Sequence, residues 1–185
     1  MESNTDVSLS IEQGLEAKEL ASSTRSYEDA KEAVRTMLIW LGEDPTREGL
    51  LDTPDRVARA WGEYCQGYKL DPNTLLQTCF SEINGYDEPV CMRDIEFVSH
   101  CEHHMAPING FVDVSYVPDG KVVGISKLAR VVDCFAKRLQ TQERLTASIG
   151  KCIDENLQPL GVAVRIKAFH SCMLNRGVNK KSSHL

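Results

Sequence analysis

From Ser26 onward the chain runs first on a helical period and then on a strand period. Ala30, Ala33, Val34, Met37, Leu38 and Leu41 recur at intervals of three and four, the spacing of one helix face. Ser26, with Asp29 three residues on, makes a capping box at its start, and Gly42 followed by Pro45 ends it. Thr53-Pro54 opens a second helix, with Val57, Ala60, Trp61 and Tyr64 as its buried stripe and Gly67 as a stop. Arg56 and Arg59 sit on another face of it, three apart, where they can point together away from the core. Ahead of all this, residues 1–25 are rich in Ser, Glu and Thr with weak periodicity, which predicts a flexible polar lead-in.

At Asp94 the period changes to two. Residues 94–99 and 110–117 predict strands, and Asp119-Gly120 predicts a turn before a run at 121–125, so the last two read as a hairpin. Ser126 then caps a third helix with Leu128, Val131, Val132 and Phe135 inward. Thr141 caps a fourth, through Leu145, Ile149, Cys152 and Ile153. In the final strand Val162, Val164, Ile166 and Ala168 face one way while Arg165 and Lys167 face the other. Helices followed by an antiparallel sheet with an inserted helix pair make an α+β fold, expected as a single domain over residues 26–185.

Composition narrows the function classes. The chain has 185 residues, 42% hydrophobic and 26% charged, enough for one proper core. A net charge of −6 argues against nonspecific nucleic-acid binding, which phosphate contacts dominate, yet leaves room for one phosphorylated ligand on a local basic cluster. The longest apolar run, residues 37–41, is far too short for a bilayer, and the acidic, polar start carries no export signal. Seven cysteines, an odd number, then predict reduced thiols in a cytoplasmic setting, some of them binding metal.

Cys101-Glu102-His103-His104 follows a strand and precedes Pro107. Thiolate and imidazole three apart form a half-site for zinc, scattered turn residues being the plainer alternative. A second half-site follows: His170 and Cys172 continue the apolar face of the last strand, so both should point inward, where they are costly unless used. Cys101, His104 and Cys172 together would give three ligands and an open fourth position, the catalytic rather than the structural arrangement. His103 and His170 are left beside the metal as proton-transfer groups. His100 reads as a strand-end residue and His184 as part of a polar tail. Lys127 and Arg130, three apart behind Ser126, form with Arg56, Arg59 and Arg176 a basic set suited to phosphate, though solvated surface charge explains any one of them.

The stretches SHCEHH (99–104), GISKLARVVDCFAKRLQTQERLT (124–146) and AFHSCMLNRGV (168–178) closely resemble the GTP cyclohydrolase I family, and GLLDTPDRVARAW (49–61) looks like the family's helix start. The similarity covers roughly residues 27–178, with its motifs in order. The resemblance implies the tunnelling fold (T-fold), Zn2+ as cofactor and GTP as substrate. It assigns Cys101, His104 and Cys172 to the metal and His103 and His170 to proton transfer. Gln142 and Glu143 fall beside the base, where a carboxylate accepts guanine N1–H and the exocyclic amine together. Ser126, Lys127, Arg130, Arg176, Arg56 and Arg59 fall on ribose and triphosphate contacts. The implied assembly is a toroidal homodecamer with active sites at subunit boundaries, with a regulatory protein as a further partner left open. Family members continue past the RGV segment with another strand and a helix, which this chain is expected to lack. That shortness leaves open a non-catalytic or regulatory member that binds zinc or nucleotide. The nitrile-reducing branch of the fold does not need the CEHH ligands, and a cytidine-deaminase-like site would need H-x-E and P-C-x-x-C, which are absent.

Overall fold

Ser26 caps the first helix as its sequence predicts. Its hydroxyl accepts from the Asp29 amide at 3.1 Å, and the Asp29 carboxylate accepts from the Ser26 amide at 2.8 Å. The structure, a computed structural model, describes residues 25–81, 86 and 88–180, so the lead-in before Arg25 and His184 lie outside the described residues. Helix α1 spans Tyr27–Trp40, and Gly42 follows it at φ 89°, a left-handed conformation that glycine adopts without strain. The expected stripe along α1 is nevertheless not buried: Met37 is 59% and Leu41 62% exposed. Periodicity reports which face is apolar and not what covers it. Helix α2, Thr53–Tyr64, likewise buries only Pro54. Between Ala60 and Trp61 the chain divides into two compact units.

The second unit holds the sheet. Its strands are β1 (Cys79–Phe80), β2 (Val90–Cys101), β3 (Pro107–Val117), β4 (Val122–Val123), β5 (Leu139–Gln140) and β6 (Gly161–His170). The main sheet runs β5-β2-β3-β6, antiparallel except that β5 lies parallel to β2. The hairpin expected across Asp119-Gly120 does not form. Strand β3 pairs with β2 and β6, while β4 pairs with β1 in a separate ribbon. The turn exists, with Gly120 at φ 73°, but the Val123 amide donates to the Tyr116 hydroxyl at 3.0 Å rather than to a strand ladder.

Against the inner face of this sheet pack α4 (Ile125–Ala136) and α5 (Gln142–Leu157), with the short α3 (Pro72–Leu75) lying on those two helices. Val112, Val114, Tyr116, Ile166 and Ala168 from the sheet meet Leu128, Val131 and Val132 of α4 and Leu145, Ile149 and Ile153 of α5. Each such aliphatic side chain contributes about 1.5–3 kcal/mol by leaving water. Gly124, not Ser126, occupies the N-cap of α4, so Ser126 stands exposed in its first turn. Thr141 does cap α5, its hydroxyl accepting from the Arg144 amide at 3.3 Å.

Strand β6 alternates as expected, Ile166 and Ala168 inward, Arg165 and Lys167 outward. Its contact with β3 depends on Gly110. A Cβ there would sit 2.2 Å from the Lys167 carbonyl oxygen, so only glycine permits the approach. The resulting register pairs Ile108 with His170 at the end of the sheet. No helix among the described residues is long and apolar enough to cross a membrane.

Candidate active site

The link between β2 and β3 is a tight turn. The Cys101 amide donates to the Ala106 carbonyl at 2.8 Å and the Met105 amide to the Cys101 carbonyl at 2.8 Å, with Met105 held at φ 53°. On its other side Cys101 pairs with Gln140 of β5, which leaves the thiol buried. Strand β6 stops at His170, and helix α6 (Ser171–Leu174) begins at the next residue. Cys172 therefore lies on a helical turn and not on a continued strand face, yet it reaches the same place. The ligand atoms of Cys101, His104 and Cys172 all lie within 4.8 Å of one another. Two sulfurs and one imidazole suit a borderline-soft divalent ion. Burial, and then the neighbouring Cys101, push the Cys172 thiol up, while Arg176 works the other way.

Around this cluster opens a cleft of about 410 Å³, whose walls include His103, His170, Gln142, Glu143 and Met173. The first turn of α5 supplies two of them. Gln142 is only 6% exposed, and its Nε2 donates to the Ile166 carbonyl at 3.2 Å. That leaves its Oε1, which can only accept, facing His170 Nε2 at 2.9 Å. The proton therefore sits on His170 Nε2, and Nδ1 is the lone-pair nitrogen. Burial pulls the His170 pKa down, with the Glu143 carboxylate opposing.

Of the expected basic set, Arg176 reaches the cluster, where its guanidinium donates to His104 Nε2 at 2.9 Å. Ser126, Lys127 and Arg130 do not line the cleft; Ser126 and Arg130 are exposed and Lys127 half-buried on α4. Arg56 and Arg59 are paired within α2's own neighbourhood, to Asp52 and Asp55, each at 3.0 Å. His100 is more than a strand-end residue. It is buried against Trp61 and Tyr64, ring centroids 4.9 and 4.6 Å away, and burial lowers its pKa. Sequence reasoning missed Glu102, Gln140 and Arg144, which fasten the CEHH turn to α5. The four-residue spacing of Gln140 and Arg144 was the available sign, but four-residue pairs are common and rarely informative alone.

Comparison with known proteins covers the same elements. The family model described as GTP cyclohydrolase I matches residues 30–185. A relative from Allorhizobium ampelinum, named GTP cyclohydrolase 1, is 54% identical over 162 residues, 88% of this chain and 81% of that protein. Another of the same name, from Brucella suis, is 51% identical over 188 aligned positions, 99% of this chain and 85% of that protein. The α+β sheet with its inserted helices is the T-fold of this family. The matched segment contains the Cys101–His104–Cys172 cluster, the His170–Gln142 pair and Glu143 alike, and the chain belongs to the GTP cyclohydrolase I family.

Proposed function

We propose that this chain is a zinc-dependent GTP cyclohydrolase I, opening the imidazole ring of GTP, releasing formate and forming 7,8-dihydroneopterin triphosphate. The observation that carries the proposal is the convergence, in one cleft, of Cys101, His104 and Cys172 with the His170–Gln142 pair and Glu143. The donor set fits zinc, since two thiols and one imidazole leave a position open. Held by these three, the ion would supply Lewis acidity, making a water acidic enough to attack near neutral pH.

The remaining work falls to side chains. Glu143 accepts from the guanine edge and so orients the base, a bidentate demand that adenine does not meet. His170, its Nε2 proton held by Gln142, offers Nδ1 to take up and return a proton at the purine ring nitrogen, with His103 on the same cleft as its counterpart. Two hydrolytic steps at C8 release it as formate. The ribose then rearranges, with Ser126 assisting, and closes on the pyrimidine amine with loss of water. Arg176, Lys127, Arg130, Arg56 and Arg59 bind the triphosphate. Because Lys127 and Arg130 do not line the cleft of a single chain, a cytoplasmic homo-oligomer that brings a second copy's α4 to the cleft accommodates them best.

The test is formate release from GTP together with zinc content. The wild-type chain should carry about one zinc and turn over, and Cys172→Ser should lose both. Full zinc occupancy in Cys172→Ser would remove Cys172 from the ligand set. Zinc and GTP binding without formate would leave the non-catalytic reading instead.

A further inference from the structure

One guanidinium ties the turn bearing Cys101, His103 and His104 to the start of α5. Arg144 Nε donates to Gln140 Oε1 at 3.0 Å, and its terminal nitrogen reaches the Leu139 carbonyl at 2.7 Å and Glu102 Oε2 at 2.7 Å. Gln140 is itself fixed. It is 3% exposed, and its Nε2 donates to the Phe135 carbonyl at 2.9 Å, so Oε1 is the atom left for Arg144. The backbone of Glu102 is held as well, its amide donating to the Gln140 carbonyl at 3.0 Å. The Glu102 carboxylate thus arrives on a rigid mount, and its other oxygen, Oε1, stands 3.8 Å from His103 Nε2. That separation is too long for a direct hydrogen bond and fits electrostatic steering or one bridging water.

We propose that Glu102, braced by Arg144, is the positioning residue for His103: its carboxylate draws Nε2 toward itself and leaves Nδ1 to the cleft. The proposal rests on the reading of His103 as a proton-transfer group in a GTP cyclohydrolase. Glu102 does not touch the substrate; it acts through the imidazole, as carboxylates do behind working histidines elsewhere. The competing view is an ordinary half-exposed ion pair, and such pairs contribute little. Against that view, three acceptors are gathered by two nitrogens of one planar guanidinium, a span that a lysine's single nitrogen cannot reproduce.

Steady-state kinetics on the zinc-loaded full chain separate the two. Glu102→Gln should lower kcat about 10- to 100-fold at wild-type zinc content. The KM for GTP should stay within about twofold, because the loss falls on the transition state and not on ground-state binding. Arg144→Lys should do the same. The decisive measurement is the cycle with His103→Ser: in that background Glu102→Gln should make no further difference, since the group it orients is gone. Unchanged kcat in Glu102→Gln would overturn the proposal. So would a loss that persists in full in the His103→Ser background, or a fall in zinc that matches the fall in rate. A wild-type chain that releases no formate would bring down the reading of the whole cleft, and this inference with it.

Discussion

Gln142 shows how much one buried amide can decide. With Nε2 committed to Ile166, its oxygen dictates which nitrogen of His170 carries the proton. Next to it, Glu143 admits two explanations: a base-binding carboxylate, or an acid in a helix's first turn that steadies the macrodipole by about 0.3–1 kcal/mol. Glu143→Gln distinguishes them, since it keeps the shape and turns one acceptor into a donor facing guanine's own donors. GTP binding to the zinc-loaded variant should weaken by about 2–4 kcal/mol, roughly 30- to 1000-fold. Unchanged affinity with a slightly lower melting temperature would leave only the helix-end role. The cysteines and histidines that meet in the cleft could be picked out in the sequence because thiols and imidazoles carry their chemistry wherever they sit. The Arg144–Glu102 link could not, because it joins positions far apart in sequence and depends on how β5 lies against β2.

At the scale of elements, the caps with side chains were readable and those without were not. Ser26 and Thr141 bond the amides they face, whereas Gly124 starts α4 with no side chain at all, so Ser126 drew the assignment two residues too far in. Strand pairing was harder still. The Asp119-Gly120 turn suggested a local hairpin, but β3 is already paired with β2 across the tight turn before it, and its other partner is the distant β6, which no local signal announces. Gly110 is where that long-range choice can be tested. Gly110→Val puts branched carbon against the Lys167 carbonyl and Ala168, and should destabilise the chain by about 1–3 kcal/mol in denaturant unfolding. An unaltered midpoint would mean that β3 and β6 can part without loss.

For the molecule as a whole, the exposed α1 stripe and the residues of α4 that miss the cleft pose one question: what stands opposite them. Sequence pattern identified both as purposeful but gives no distance between surfaces. If another copy completes the site, two damaged chains can repair each other. Co-expressed Cys172→Ser and Lys127→Ala chains, each inactive alone, should together regain part of the wild-type turnover through sites built from one intact half of each. No recovery would mean that a single chain holds every group the reaction needs. The pairing of β3 with β6 carries a last consequence, one of parity. Ala168 opposite Gly110 and His170 opposite Ile108 are both even steps along a strand that turns over at every residue. One residue added or lost inside β6 would leave composition and hydrophobicity almost untouched and would face His170 to the wrong side of the sheet. Two would restore its side, though not its depth. The length of this strand is thus part of the chemistry, as binding on the chain as the identity of the histidine at its end.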